Sequence, residues 1–287
     1  METTSNFLAY KYCPPERIDI LENKRIRFTQ LCDLNDPTDG LPTIHLPEDP
    51  KEFILKTIEN NRDNPSIIEI KRLGLLEKAI ETESRRYQTD PTVLQKYCYN
   101  VYRNFNDMFA VLSLSKNANS ELMWSYYCNN SSGFVIEIVL SDSSLSRDSK
   151  LHSIGENDPR DVIYSTTRHA VSIDRFEIPL DAIFTKSEAW SHEEEVRIIR
   201  RIDKEGIKNY SDVNIIKRDS RGGINRNVYL FNLPPSSIRG VVIGYNCTDD
   251  IRDSIVKLIR NDPELQHLYI KKSVLKTSGY GFEYLPI

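Results

Sequence analysis

Alternating apolar and polar residues predict short strands at both ends of the chain. The segments LAYKY and RIRFTQ near the start, and VYLFNLP, IRGVVIGY and LYIKKSVL near the end, carry the residue types and spacing of strands. MFAVLSLS predicts a buried strand, and GFVIEIVL predicts another strand that begins after a glycine. DDIRDSIVKLIRN repeats its apolar residues at helical spacing and begins with aspartates, which suit the N-terminus of a helix.

The spacing of apolar residues changes to a helical one between about Lys51 and Asn106. It is interrupted near Asn64-Pro65 and Asp90-Pro91, and this predicts an insertion of about three helices. Strands and helices are mixed without the regular β-α-β alternation of a doubly wound parallel sheet. We therefore predict an α+β fold with a mainly antiparallel, mixed sheet core, formed as a single domain over residues 1–287 with a helical insertion at 51–106.

Two loops and one short helix are further candidates for function. CDLNDPTDGLPTIHLPEDP holds four prolines among turn-forming residues, and Asn35-Asp36-Pro37 within it predicts either an Asx turn or a ligand-contacting loop. Residues 203–227 are charged and predict a mobile loop that could act as a lid. In ANSELMWSYYC, Asn119 or Ser120 could cap a helix, whose Trp124 and Tyr127 then either pack in the core or stack on a ligand.

Composition and charge narrow the possible partners. The 287 residues are 39% hydrophobic and 28% charged, with a net charge of −4, so the chain has no overall basic field for nucleic acid. A small molecule, such as a nucleotide, or a protein is the favoured partner, although a local patch could still bind a nucleic-acid target. Five scattered cysteines without a C-x-x-C pair predict reduced thiols. No window is apolar enough for a membrane helix, so we expect a cytoplasmic protein.

The segment SHEEEVRIIRR places three glutamates directly before a predicted strand. If Glu195 to Arg201 forms a strand, side chains alternate, and Glu193, Glu195 and Arg197 share one face. Two carboxylates on one face can accept hydrogen bonds from a pair of sugar hydroxyls or stabilise a developing positive charge. The alternative is a solvated face or a row of ion pairs.

Other chemistry has less support in the sequence. His192 lies beside the glutamates, but no second histidine lies within ligand spacing, so no metal centre is predicted. A metal-dependent nuclease that uses Glu193, Glu194, Glu195 and nearby aspartates remains a third alternative. P-loop, dinucleotide-binding and nucleophile-elbow motifs do not occur.

An ordered series of short motifs resembles a bacterial family. The series runs over almost the whole chain and includes Tyr10-Lys11-Tyr12, Arg27-Phe28, Asn35-Asp36-Pro37, Ser113-Leu114-Ser115, Met123-Trp124-Ser125-Tyr126-Tyr127, Gly133-Phe134, Lys186, Trp190-Ser191, Glu193-x-Glu195-x-Arg197 and Ile243-Gly244-Tyr245. It is similar to the domain-of-unknown-function family numbered twenty-nine seventy-one. That resemblance implies a prokaryotic or phage protein of the accessory kind found near defence genes.

The opening LAYKY and IDILENKRIRF look more distantly like the first strand, helix and second strand of ADP-ribosyltransferases that modify nucleic acids. This resemblance implies an effector, in phage defence or as a toxin, that uses NAD as co-substrate, with Glu195 as the catalytic carboxylate and Glu193 as its neighbour. Lys11 stands where that family shows His or Arg, a departure that favours the alternative of a non-catalytic nucleotide- or protein-binding module, and Arg27 could substitute for it. The residues predicted to bind the co-substrate are Tyr10, Lys11, Tyr12, Arg27, Asn35, Asp36, Ser113, Ser115, Trp124, Tyr127 and Arg197.

Overall fold

The fold was analysed in a computed structural model that describes residues 7–45, 49–140, 158–172, 180–220 and 223–287. The serine- and aspartate-rich stretch after Leu140, predicted to be irregular, lies outside the described residues up to residue 157. Residues 221 and 222 of the predicted lid also lie outside them.

Fifteen strands and eight α-helices are assigned within the described ranges. The strands are β1 (Leu8–Cys13), β2 (Arg25–Gln30), β3 (Thr43–His45), β4 (Phe109–Ser115), β5 (Phe134–Val139), β6 (Arg160–Asp161), β7 (Ile163–Ser165), β8 (Ala170–Ser172), β9 (Thr185–Ser187), β10 (Glu195–Arg201), β11 (Val213–Ile216), β12 (Val228–Asn232), β13 (Ile238–Ile243), β14 (Tyr269–Leu275) and β15 (Phe282–Pro286). The helices are α1 (Asp19–Asn23), α2 (Pro50–Asn60), α3 (Pro65–Arg72), α4 (Leu76–Thr89), α5 (Pro91–Met108), α6 (Glu121–Tyr127), α7 (Leu180–Ile183) and α8 (Asp249–Asn261).

One large mixed sheet forms the centre of the protein. Its strands follow the order β11-β12-β2-β4-β1-β5-β13-β14-β15, and β10 pairs with β4 and β6. All of its pairings are antiparallel except that of β13 with β14. The predicted α+β fold with a mainly antiparallel sheet is therefore confirmed. Two small parallel pairs, β3 with β8 and β7 with β9, lie outside this sheet.

Helices cover both faces of the large sheet. On one face, Ile20 and Leu21 of α1 and Ile255 and Ile259 of α8 pack on alternate residues of the central strands in the main core. The opposite face is covered in two places: by α5 and α7 through a cluster around Phe105 and Ile183, and by α6 through Trp124. The candidate site lies on this second face, where strand alternation places the side chains of Ser113, Ser115, Glu195 and Arg197.

Strand β4 creates a fork in the sheet. Along one edge it pairs with β10 over its full length. Along the other edge, Ala110 and Val111 pair with β2, whereas Ser115 pairs with Tyr10 of β1. Between Val111 and Ser115 this edge of β4 has no paired strand among the described residues, because β2 ends its pairing at Val111 and β1 begins its pairing at Ser115. The space left between β1 and β2 opens into the cavity described below.

Two sequence predictions need correction. The insertion holds four helices rather than three, because Gly74 adopts a left-handed conformation with a φ of 68° and ends α3 before α4 begins. The segment 203–227, predicted as a mobile loop, contains β11, which pairs with β12. Among the helices described here, none is both long and apolar enough to cross a bilayer.

Candidate functional site

A cavity of about 210 Å³ lies at the fork between β1 and β2. Its walls come from the two forking strands, from β4, from the proline-rich loop after β2, from α6 and from the segment leading into β10. The lining residues are Tyr10, Lys11, Tyr12, Thr29, Asp33, Leu34, Asn35, Asp39, Ser113, Leu114, Ser115, Met123, Tyr127, Lys186, Glu193 and Glu195. Both predicted catalytic glutamates and seven of the predicted co-substrate residues thus surround one cavity.

A buried ammonium group holds three carboxylates together at the cavity wall. Lys186 Nζ lies 2.5 Å from Glu193 Oε2, 3.3 Å from Glu195 Oε2 and 3.4 Å from Asp39 Oδ2. Burial alone would lower the pKa of Lys186, but the negative charges of these carboxylates outweigh it and raise the pKa above its usual value. Lys186 is therefore a fixed positive charge.

Arg197 is the second cation of this cluster and is completely buried. It donates two hydrogen bonds to Asp39, at 2.8 and 2.6 Å, and two to Glu195, at 2.7 and 2.8 Å. A fifth bond goes to the carbonyl oxygen of Ile183, at 2.6 Å. Bidentate guanidinium contacts of this kind fix the orientation of a carboxylate. Arg197 was predicted to bind the co-substrate, but it is buried outside the cavity lining and instead positions Glu195.

Glu195 is an ionised carboxylate at the edge of the cavity. Burial opposes its ionisation, but Arg197, then Lys186 and the Ser113 hydroxyl, lower its pKa to about 2. The cluster contains three carboxylates and two cations, a net charge of −1. An anion held at low dielectric interacts strongly with a positive charge that forms next to it.

Glu193 lies in a different backbone element from the one that the sequence predicted. It ends a 3-10 helix, Glu188–Glu193, and is not part of a strand, so the predicted strand alternation from Glu193 to Arg197 is wrong for its first residue. Glu194 then adopts a left-handed conformation with a φ of 43°. This turn carries the Glu194 side chain outward, where it accepts a bond from Asn117. The carboxylates of Glu193 and Glu195 nevertheless both contact Lys186.

Hydroxyl and amide groups complete the environment of Glu193. Tyr127 donates to Glu193 Oε1 at 2.5 Å, and its hydroxyl accepts a bond from Asn35 Nδ2 at 2.6 Å. Burial and the charge of Glu193 raise the pKa of Tyr127, which keeps the phenol protonated. Ser115 donates to the carbonyl oxygen of Glu193 at 2.7 Å and so ties β4 to the start of β10.

Lys11 fills the gap in the sheet. Its Nζ donates to the carbonyl oxygen of Ser113 at 3.0 Å, in the stretch of β4 that neither β1 nor β2 pairs. Burial lowers the pKa of Lys11, and the nearby positive charges of Arg17 and Arg27 act in the same direction. The predicted co-substrate residue Lys11 therefore lines the cavity and also satisfies an unpaired backbone acceptor.

Besides Arg197, three predicted site residues do not line the cavity. Trp124 has no exposed surface: its ring packs against Tyr12 and Phe282, and its indole donates to Tyr284. It is a core residue, and the prediction that it stacks on a ligand is wrong. Asp36 accepts bonds from the backbone and hydroxyl of Thr38, which makes it an Asx turn rather than a ligand contact. Arg27 is bonded to Asp33 beside the cavity.

Sequence reasoning missed three participants. Asp39 follows the Asx turn and contacts both cations, but nothing in the local pattern separates it from the other acidic residues of its loop. Lys186 belongs to the motif series without an assigned role. Tyr164 accepts a hydrogen bond from the backbone N–H of Glu195 at 2.7 Å and is reached only through tertiary structure.

A second cleft adjoins the first. It has a volume of about 460 Å³ and shares Asn35 and Tyr127 with the cavity. Its other walls are Tyr126, Ala189, Trp190 and His192. The described residues contain no group of three or more histidine, cysteine or acidic side chains placed to hold a metal ion. The three carboxylates that converge do so on the Lys186 ammonium group.

Comparison with known proteins gives one match. The model of a family described as Protein of unknown function (DUF2971) matches residues 123–198. The matched segment is about a quarter of the chain and contains Trp124, Tyr127, Lys186, Glu193, Glu195 and Arg197. Comparisons with curated proteins and with solved structures gave no match. The match supports the family resemblance predicted from the motif series, whereas the resemblance to ADP-ribosyltransferases remains a prediction.

Proposed function

We propose that the protein is an ADP-ribosyltransferase-like effector that uses NAD. The observation that carries the proposal is the pair Glu193 and Glu195, whose carboxylates both contact Lys186 at the wall of a cavity with tyrosines and serines on its other sides. The resemblance of the motif series to a family found near defence genes favours a role in phage defence or as a toxin.

The chemistry would be cleavage of the bond between the nicotinamide nitrogen and C1′ of its ribose. Nicotinamide leaves with the bonding electron pair, and positive charge develops on the ribose. Glu195 would accept a hydrogen bond from a ribose hydroxyl and stabilise that charge. A nucleophile of the target then attacks C1′ and releases its proton, which completes the transfer of ADP-ribose.

The size of the cavity sets which part of NAD it could receive. At about 210 Å³ it is smaller than the roughly 300–1,000 Å³ of pockets that enclose drug-sized ligands. It suits the nicotinamide ribose, with Tyr10, Tyr12 and Tyr127 as the aromatic walls. The rest of the dinucleotide would extend outside, and the adjoining aromatic cleft is one place for a planar ring.

Nicotinamide release from NAD, followed by chromatography, tests this proposal. We expect Glu195→Gln to reduce release by at least about 100-fold, because the variant keeps the shape but loses the charge that stabilises the transition state. Glu188→Gln is the matched control, since Glu188 is exposed at the start of the same 3-10 helix. Circular dichroism of each variant checks the fold. Equal nicotinamide release from a folded Glu195→Gln protein would end the catalytic proposal.

A second candidate is a module that binds a nucleotide without cleaving it. It is favoured by a specific observation: both oxygens of Glu195 and both of Glu193 already have protein partners. A fully bonded network is also what a structural cluster would show. Calorimetry with NAD, followed by analysis of the recovered ligand, distinguishes the two, because a binding module returns NAD intact. The nuclease alternative predicts activity that a chelator removes, and no metal-ligating group in the described residues supports it.

A further inference from the structure

Three arginines gather around one carboxylate beside the cavity. Asp33 accepts a bond from Arg27 Nη2 at 2.6 Å and from Arg226 Nε at 2.7 Å, and Arg218 Nη1 lies 3.7 Å from it. Asp33 itself is part of the cavity wall. We call Asp33, Arg27, Arg218 and Arg226 the arginine cluster. One negative and three positive charges leave it with a net charge of +2.

The cluster presents its positive charge to solvent. The Asp33 side chain is only 5% exposed, whereas Arg27, Arg226 and Arg218 are 23%, 29% and 51% exposed. Asp33 therefore lies on the buried side of the three guanidinium groups and holds them together. Arg27 donates to Asp33 through Nη2 alone, and Arg226 donates to it through Nε and Nη2. Each guanidinium group therefore has further N–H donors that do not bond to Asp33.

Buried amide side chains hold the backbone on both sides of Arg226. Arg226 lies between Asn225, whose carbonyl oxygen accepts from Asn106 at 2.8 Å, and Asn227, whose N–H donates to Gln30 at 2.6 Å. Gln30 and Asn106 are both buried. The backbone position of Arg226 is thus fixed by the fold, which reduces the entropy lost when a ligand binds to its guanidinium group.

Like charges crowd this corner of the molecule. Burial lowers the pKa of Arg27, and Arg218 and Arg17 lower it further against the opposing effect of Asp33. Burial lowers the pKa of Lys11 in the cavity, and the positive charges of Arg17 and Arg27 lower it further. An anion placed between these groups would relieve their repulsion.

We infer that the arginine cluster is a binding site for the phosphate or diphosphate group of a nucleotide that places one ribose in the cavity. Guanidinium groups match the geometry of phosphate oxygens, which they can contact with two parallel hydrogen bonds. As a nucleotide site the inference rests on the proposed function, but the anion site itself does not require that any bond be cleaved.

Calorimetry with inorganic pyrophosphate, ADP and adenosine tests the site on the full chain. We expect ADP to bind most tightly, pyrophosphate less tightly, and adenosine at least about tenfold more weakly than ADP. Arg218→Gln and Arg226→Gln should each weaken ADP and pyrophosphate about tenfold and leave adenosine unchanged. Arg25→Gln is the matched control, because Arg25 lies on the same strand as Arg27 but pairs with Asp212; its affinities should stay within about twofold.

Several outcomes would overturn the inference. Wild-type protein that binds neither ADP nor pyrophosphate, or a folded Arg218→Gln protein with unchanged affinities, would exclude the site. Arg218 makes no hydrogen bond to Asp33, so its variant should fold even if Arg226→Gln does not. Equal affinity for pyrophosphate and ADP would overturn the nucleotide assignment. If the protein binds ADP but does not release nicotinamide from NAD, only the proposed catalysis is overturned. If it releases nicotinamide and every arginine variant does so at the wild-type rate, only the proposed anion site is overturned.

Discussion

At the scale of single residues, the central feature is a buried cluster in which each charged side chain is stabilised by oppositely charged neighbours. Lys186, Arg197, Asp39, Glu193 and Glu195 are all at most 4% exposed. Removal of one member would leave its partners buried without compensation, which commonly costs about 3–5 kcal/mol. Glu to Gln preserves the size of the side chain but removes its charge, so the stability of each such variant has to be measured beside its activity.

The depressed pKa of Glu195 predicts a specific dependence of stability on pH. A carboxyl whose pKa is about 2 in the folded protein and 4.5 when unfolded stabilises the fold above pH 4.5. That contribution is lost as the pH falls towards 2, and amounts to about 3 kcal/mol. Urea unfolding at pH 6 and pH 3 should show a smaller loss of unfolding free energy for Glu195→Gln than for the wild type.

The same measurement on Glu188→Gln gives the control, because other carboxyl groups also titrate in this range. Its loss of stability between pH 6 and pH 3 should match that of the wild type. A Glu195→Gln protein whose pH dependence equals that of the wild type would show that Glu195 is not held ionised by Arg197 and Lys186.

At the scale of elements, the junction between the 3-10 helix and β10 determines how the glutamates point. Glu194 is one of the few residues with a positive φ that is not glycine. For an L-residue this conformation costs about 1–2 kcal/mol. The surrounding structure imposes it: the N–H of Lys116 donates to the Glu194 carbonyl oxygen at 2.9 Å.

Substitutions at Glu194 test that backbone conformation. Glu194→Val should lower the unfolding free energy by about 1–2 kcal/mol relative to Glu194→Gly, because a β-branched residue is especially strained at positive φ whereas glycine is not. Both variants lose the same bond to Asn117, so that bond cancels in the comparison. Chemical denaturation measures the difference, and equal stabilities would contradict a left-handed Glu194.

Much of the element pattern could be predicted from the sequence, whereas the junctions could not. Period-two segments such as Arg25–Gln30 and the amphipathic helix Asp249–Asn261 became the expected strand and helix because burial follows the spacing of their apolar residues. The predicted strand Glu195–Arg201 is confirmed, but the side-chain alternation extended back to Glu193 failed at Glu194, since a glutamate gives no local signal for positive φ. Trp124 and Tyr127 show the same limit: one helical stripe carries both, and only tertiary packing separates a core residue from a cavity residue.

At the scale of the whole molecule, the cavity exists because β4 joins two parts of the sheet. Thr29 approaches it from the part that contains β2, and Tyr10 and Tyr12 approach it from the part that contains β1. The motif series predicted Tyr10 and Tyr12 as site residues, whereas Thr29 was not predicted. The pairing of β4 with both strands depends on contacts about a hundred residues apart, which no local pattern specifies.

A ligand at this fork should stabilise the entire fold. NAD at about 100 times its dissociation constant should add about 2.7 kcal/mol to the unfolding free energy and raise the melting temperature by roughly 5 °C. Thr29→Leu narrows the cavity from the β2 side and should abolish that rise with little change in the melting temperature of the free protein. Thr43→Leu, at a threonine of β3 outside the cavity lining, should behave as the wild type. A full rise with Thr29→Leu would place NAD elsewhere.

The order in which the fork is assembled also has a consequence during translation. The cavity walls begin at Tyr10 and end at Glu195, and β4 separates β1 from β2 only after the ribosome has completed the long helical insertion. A nascent or prematurely terminated chain that stops before Lys186 has Asp39 but lacks Lys186, Glu193, Glu195 and Arg197, the other four members of the charged cluster. The charged cluster at the cavity wall can therefore form only after about two thirds of the polypeptide has been synthesised.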